Sequence, residues 1–166
     1  MEDEAGRYRV LVIGYGNPMR GDDGLGWRAA TQLAGLALGP GVKVLACTEL
    51  APELAEDVSR ADRVIFIDAA ADTPPGKLRV LPLTPLRAAE APITHHLTPR
   101  SLLSLAGSLY GRCPEAAVVS LGAACFDLGE RLSAEAEAVF PLLIDSVREL
   151  VEASETAWPG EINRTR

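Results

Sequence analysis

Two adjacent acids stand in a glycine-rich loop near the start of the chain. The loop reads GYGNPMRGDDGLG over residues 14–26 and contains Asp22 and Asp23. A third acid, Asp68, ends the apolar run RVIFID. Acids at such positions often only cap a helix or a neighbouring turn. Where the ends of two parallel strands bring carboxylates together, however, the pair favours a cation, and we expect Asp23 and Asp68 to converge in this way.

Both histidines of the chain lie side by side, His95 and His96, in a proline-bounded loop just before Thr98. Either could be an ordinary surface imidazole. If the loop over residues 88–97 folds back over the carboxylates, an imidazole would complete a ligand set of borderline character, neither hard nor soft. Such a set suits nickel, zinc or iron better than magnesium or calcium. Three ligands would leave coordination positions for another partner.

The glycine loop also resembles the beginning of a dinucleotide-binding fingerprint. Met19 stands where the third glycine of that motif is required, and Asp22 and Asp23 replace the Lys-Ser/Thr pair of a phosphate-binding P-loop. Carboxylates at a helix N-terminus repel phosphate. Nucleotide binding is therefore disfavoured, and no cofactor-binding residue is predicted.

Common hydrolase motifs are absent from the sequence. It has no GxSxG, HExxH or Asp-Thr-Gly segment, and Ser120 lies within a strand-like run rather than on a sharp turn. A thiol nucleophile is an open alternative, because Cys47 and Cys125 lie at or just past strand ends and a histidine could serve as base. Small buried cysteines without such a role are the commoner case.

Composition limits the class of protein. The chain has 166 residues, 48% of them hydrophobic and 23% charged, which predicts one folded domain. Its net charge of −7 disfavours nucleic acid as a partner. The start of the chain is acidic, and no apolar run reaches the roughly 18 residues that a membrane span needs, so we expect a cytoplasmic protein without membrane contact. Three cysteines without CxxC spacing are predicted to be reduced thiols.

Strand-like runs alternate with segments of helical spacing, a pattern typical of a parallel sheet covered by helices on both faces. We predict an α/β fold, a three-layer α/β/α sandwich with a mostly parallel five-stranded sheet. Flanking prolines suggest that the fourth strand lies at a sheet edge, with its direction open. The predicted folded core spans about residues 7–153, and residues 156–166 are expected to be a frayed tail. The predicted strands cover 8–14, 42–47, 63–68, 77–82 and 116–123, and the helices 25–36, 52–59, 98–110 and 133–153.

Three segments together resemble the hydrogenase maturation endopeptidases: VLVIGYGNPMRGDDGLG, VIFIDA and ITHHLTPRSLL. The resemblance extends from about Arg9 to Leu143. It implies a single peptidase domain over 1–166 that removes the C-terminal extension of a nickel-iron hydrogenase large-subunit precursor after nickel insertion. It also implies an aspartyl endopeptidase-like hydrolase that contacts metal through Asp23, Asp68 and His95.

Within that family pattern, Asp22 is a candidate helper, and His96 rather than His95 is the alternative imidazole. The family loop has Glu or Asp where this chain has Asp23. We further predict that nickel is supplied by the substrate, that no cofactor is permanently bound, and that the free protein is a monomer. Two alternatives remain: a noncatalytic nickel-binding checkpoint or chaperone, and an independent metallopeptidase or amidase with its own metal.

Overall fold

Strands and helices alternate along most of the chain in the computed structural model, which describes residues 6–87, 96–153, 158 and 162–164. A short 3-10 helix, Gly21–Gly24, leads directly into the first α-helix. The strands are β1 (Tyr8–Tyr15), β2 (Val42–Cys47), β3 (Ala61–Ala70), β4 (Leu78–Leu83), β5 (Glu115–Gly122) and β6 (Ile162–Arg164), and the α-helices are α1 (Leu25–Ala34), α2 (Leu54–Ser59), α3 (Pro99–Tyr110) and α4 (Ala134–Glu152).

One sheet contains all of these strands, in the order β2-β1-β3-β5-β4-β6. Strands β2, β1, β3 and β5 are mutually parallel, whereas β4 is antiparallel to β5 and β6 is antiparallel to β4. Helices α1 and α4 pack on one face of the sheet, and α2 and α3 on the other. The predicted three-layer α/β/α sandwich with a mostly parallel sheet is confirmed.

The far edge of the sheet differs from the prediction. Within the predicted frayed tail over 156–166, Ile162–Arg164 form β6 and pair with Leu78–Val80. Strand β4 is therefore not a bare edge strand. Because β6 covers only the first half of β4, Pro82, which has no N–H to donate, lies beyond the paired stretch. A three-residue strand has too little periodicity to be recognised from sequence.

Alternation along the central strands decides which face of the sheet carries each side chain. Val10 and Val12 pack with α1 and α4, whereas Leu11 and Ile13 pack with α2 and α3. Continuing that alternation places Tyr15 on the α2/α3 face, where it packs against the same cluster. Asp68 follows Phe66 of that cluster by two residues, so it also belongs to the α2/α3 face.

Both long helices begin where the sequence predicts. Thr98 accepts a hydrogen bond from the Ser101 N–H at 3.2 Å, with Pro99 in the first turn. Ser133 accepts one from the Ala136 N–H at 3.2 Å. None of the helices in the described part of the chain is both long enough and apolar enough to cross a membrane.

Candidate active site

Five neighbouring strands each contribute one side chain to a row across the α2/α3 face, near the carboxyl rim of the parallel strands. Cys47 of β2 lies opposite Tyr15 of β1. The Tyr15 hydroxyl donates a hydrogen bond of 2.7 Å to Asp68 Oδ2 on β3. Asp68 lies opposite Ser120 of β5, and Ser120 lies opposite Arg79 of β4. We call these five residues the rim row.

Asp68 carries the carboxyl group of the rim row, and its pKa is perturbed. Burial, with a smaller contribution from the nearby negative charge of Asp23, raises the pKa of Asp68 to about 6 against the lowering effect of hydrogen bonds from Tyr15 and the Ala69 backbone. Burial and Asp68 likewise raise the pKa of the Tyr15 hydroxyl, which therefore stays protonated and remains a donor. Perturbed groups of this kind are concentrated at functional sites.

Asp23 is held beside Asp68 by the glycine loop. The Asn17 N–H donates to Asp23 Oδ2 at 2.9 Å. Gly16 has φ +133°, and a Cβ there would lie 1.8 Å from the Asp23 carbonyl oxygen, so only glycine allows the loop to wrap this tightly. The charge of Asp23 contributes to the raised pKa of both Asp68 and the Tyr15 hydroxyl, so the two predicted carboxylates lie at the same rim of the sheet.

Asp22 lies beside Asp23 in sequence but is bound inside the fold. Its side chain is buried and accepts hydrogen bonds from the N–H groups of Ala124, Cys125 and Ser133 at 2.8, 3.2 and 2.7 Å. The Ser133 hydroxyl adds a fourth at 2.7 Å. Burial alone would raise the pKa of Asp22, but these donors outweigh it and lower the pKa below the usual range. Asp22 thus ties the glycine loop to the start of α4, and neither acid caps α1, whose N-cap is Gly24.

One of the two histidines lies among the described residues and the other does not. His95 lies outside the described residues, as does most of the loop expected to close over the rim. His96 is described and exposed, just ahead of the Thr98 cap of α3. Among residues 6–87, 96–153, 158 and 162–164, no three His, Cys, Asp or Glu side chains form a group that could hold a metal ion.

A cleft of about 570 Å³ opens beside the rim row. Polar side chains of Tyr15, Asp68, Ser120 and Arg79 line its floor, and the start of α3 borders it. Its apolar lining comes from Leu81, Leu83, Leu86 and Val118. A larger depression of about 670 Å³, between α1 and α4, contains none of the predicted site residues.

Sequence reasoning did not identify Tyr15, Ser120 or Arg79 as site residues. Tyr15 lies one residue beyond the predicted first strand, and the other two lie within predicted strands. The available signal was the two-residue alternation of side chains along a strand. Once Phe66 is assigned to one face of the sheet, Asp68 lies on the same face, and the strand register then identifies the residues beside Asp68 on the neighbouring strands. That register depends on which strands are adjacent.

The two cysteines considered as nucleophiles differ in their surroundings. Burial raises the pKa of Cys47, which disfavours its reactive form. Cys125 contributes its backbone N–H to Asp22, and its Sγ lies 3.6 Å from Asp127 Oδ2.

No family model matches the sequence, and a search of curated proteins finds no relative. Solved structures do match. A [NiFe] hydrogenase maturation protease HycI from Thermococcus kodakarensis KOD1 is 25% identical over 90% of this chain and 96% of its own, with a TM-score of 0.71. A hydrogenase 2 maturation peptidase from Thaumarchaeota archaeon SCGC_AB-539-E09 is 29% identical over 88% and 99%, with a TM-score of 0.66. The hydrogenase maturating endopeptidase HybD from E. coli, 23% identical over 94% and 98% with a TM-score of 0.73, shares the fold.

Proposed function

Because the chain belongs to the hydrogenase maturation endopeptidase family, we propose that it removes the C-terminal extension of a nickel-iron hydrogenase large-subunit precursor. The enzyme class is that of a peptidase, a hydrolase that cleaves peptide bonds. The observation that carries the proposal is the pair of carboxylates at the carboxyl rim of this fold, with Asp68 lining a cleft and Asp23 close enough to raise the pKa of Asp68. Ligands bind at this rim of open α/β sheets.

The nickel of the precursor is the proposed recognition element. Asp23 and Asp68 would supply oxygen ligands, and His95 would supply an imidazole nitrogen. Three protein ligands leave positions for the large subunit's own ligands, so the metal arrives with the substrate and leaves with the product. Tyr15 supports this arrangement by holding one oxygen of Asp68 in a fixed orientation at 2.7 Å.

Hydrolysis requires a water oxygen to bond to the scissile carbonyl carbon, after which the C–N bond breaks and the new amine takes a proton. The cleft offers carboxylates at which that water can lose its proton, and a pKa of about 6 leaves Asp68 mostly ionised at pH 7. The substrate nickel, where bound, would polarise the same water.

Two loops next to the site expose large apolar side chains, which supports a macromolecular partner over a small molecule. Met19 in the glycine loop is 51% exposed, and Leu128 in the loop after β5 is 88% exposed. Hydrogen bonds join the loops, from the Gly129 N–H to the Met19 carbonyl and from the Gly21 N–H to the Gly129 carbonyl, both at 2.8 Å. A folded large subunit would cover such side chains on docking.

The decisive experiment uses nickel-loaded and nickel-free forms of one large-subunit precursor. We expect the protein to shorten only the loaded form, visible as a size shift on a gel. Stable binding of the loaded precursor without cleavage would instead support the noncatalytic checkpoint or chaperone. Cleavage of unrelated small peptides would support the independent metallopeptidase or amidase.

Purified protein is expected to carry little tightly bound nickel, because the proposed site awaits a metal brought by the substrate. Elemental analysis after dialysis against a chelator measures this. One equivalent of nickel or zinc surviving that treatment would contradict the proposal and favour an enzyme with a resident metal.

Replacing the cysteines is expected to leave processing intact. Cys47→Ala and Cys125→Ala should each shorten the loaded precursor at a rate within about twofold of the unchanged protein, because burial raises the pKa of the Cys47 thiol and the Cys125 thiol donates to Asp127 Oδ2. The gel assay is paired with a thermal melt of each variant. Loss of cleavage in Cys125→Ala with an unchanged melt would point to a cysteine nucleophile.

We further propose that the protein acts in the cytoplasm as a monomer when free. Three free cysteines, Cys47, Cys113 and Cys125, agree with a reducing compartment.

A further inference from the structure

The cleft has an acidic end and a basic end. Asp68 stands on β3, and Arg79 stands on β4, with β5 between them contributing Ser120. Neighbouring strands lie about 4.8 Å apart, so two strand steps separate the Asp68 and Arg79 backbones by about 10 Å. An extended peptide rises about 3.3 Å per residue, and about three residues of it would span that distance.

Arg79 carries a guanidinium with unused donors. The side chain is half-buried, and its Nη1 donates one weak hydrogen bond of 3.3 Å to the hydroxyl of the buried Thr73. Asp72 also lines the cleft, exposed, but its Oδ1 accepts from Thr73 at 3.4 Å, and no ion pair of Arg79 is found in the described part of the chain. An arginine has five N–H donors in a planar fork that matches a carboxylate.

Beside the line from Asp68 through Ser120 to Arg79, the floor of the cleft is apolar. Val118 of β5 and Leu81 of β4 lie next to each other in the sheet, and Leu83 and Leu86 extend the same lining. A peptide lying across this floor would bury an apolar side chain there while one acidic group meets Arg79. The combination of apolar lining and a few charged groups that fix orientation is typical of specific ligand clefts.

From this geometry we infer that the cleft binds the extended substrate segment adjoining the scissile bond, and that Arg79 binds a carboxylate about three residues from that bond. The inference rests on the proposed function. The carboxylate is either an acidic side chain or the chain-terminal carboxylate of the precursor. Arg79 is thereby a specificity-determining residue that contacts substrate away from the reacting atoms.

The test measures kcat and KM for Arg79→Gln on the nickel-loaded precursor. We expect KM to rise about tenfold with kcat within about twofold, because a charge-assisted contact made equally before and during the reaction is lost. Arg79→Lys should recover part of the loss, since an ammonium keeps the charge without the fork. The matched control is Arg148→Gln, an exposed arginine of α4 on the opposite face of the sheet, which should change neither constant.

Altered precursors separate the two sources of the carboxylate. In one set, each acidic residue near the cleavage point is changed singly to its amide; in the other, the C-terminus is extended by several residues. One altered precursor should be cleaved with equal efficiency by Arg79→Gln and by the unchanged protein. The carboxylate that was altered in that precursor is the group that Arg79 binds.

Failure of this inference is distinct from failure of the proposed function. Unchanged KM in a folded Arg79→Gln variant, while the unchanged protein cleaves the loaded precursor, would overturn the Arg79 assignment and leave the function in place. A fall in kcat with KM unchanged would also overturn it, because Arg79 would then act on the reaction itself. If the unchanged protein cleaves no precursor, both proposals fall.

Discussion

Asp68→Asn is expected to reduce processing of a nickel-loaded precursor by at least about a hundredfold while the protein stays folded. The amide keeps an oxygen for the Tyr15 hydroxyl, which donates at 2.7 Å, but loses the charge that a divalent cation needs. The same loss is expected for Asp23→Asn, whose amide oxygen can still accept from the Asn17 N–H, and for His95→Ala.

The stability of Asp68→Asn, unlike its activity, should not fall. Burial raises the pKa of Asp68 to about 6 in the folded protein, above the value of about 3.9 of an unfolded aspartate. The folded state therefore disfavours the charged form of Asp68. The resulting loss of stability is present above pH 6 and disappears as the pH falls below about 4. Removing the charge should leave the melting temperature at pH 7 unchanged or raise it, as is common for residues whose placement serves function.

The measurements are the gel assay and a thermal melt at pH 7, with Asp145→Asn as the matched control. Asp145 is exposed on α4, so the same chemical change there should affect neither readout. Full cleavage by Asp68→Asn or Asp23→Asn would remove that residue from the proposed site. A large drop in melting temperature would assign Asp68 a structural role instead.

Asp22→Ala is expected to lower the free energy of unfolding by about 2–4 kcal/mol, because three backbone N–H groups and one hydroxyl lose their buried acceptor. For a chain of this size that corresponds to a fall in melting temperature of about 5–15 °C. Part of the loss comes from the start of α4, since the Ser133 hydroxyl that donates to Asp22 also accepts from the Ala136 N–H.

The pH dependence of this stabilisation has a defined sign. Hydrogen bonds lower the pKa of Asp22 in the folded protein, so its contribution is fully present above the unfolded value of about 3.9 and is lost as the pH falls through the folded value. Denaturant titrations of the unchanged protein and Asp22→Ala between pH 3 and pH 7 should therefore converge toward acid pH. Asp23→Asn is the neighbouring control and should retain its stability. Equal stability of Asp22→Ala at pH 7, with loss of processing, would restore Asp22 as a helper in the reaction.

The sequence alone determined the local structure and the class of fold. Apolar runs of strand length, separated by segments of helical period, identified five strands and four helices because periodicity reflects which side chains a strand or helix must bury. The caps at Thr98 and Ser133 were predictable for the same reason, since a hydroxyl and the N–H groups it accepts from lie within three residues of each other. The resemblance identified the family and nominated Asp23, Asp68 and His95.

Only the tertiary structure decided what each polar residue at the rim contacts. Asp22 and Asp23 are adjacent and identical in type, yet Asp22 is buried against Ser133, more than a hundred residues away, while Asp23 accepts a hydrogen bond from Asn17 within the glycine loop. Tyr15 and Arg79 joined the site because strand adjacency set them beside Asp68 and Ser120. The direction of β4 and the pairing of β6 were likewise undetermined, because strand order and register depend on packing between distant segments, which local propensity does not encode.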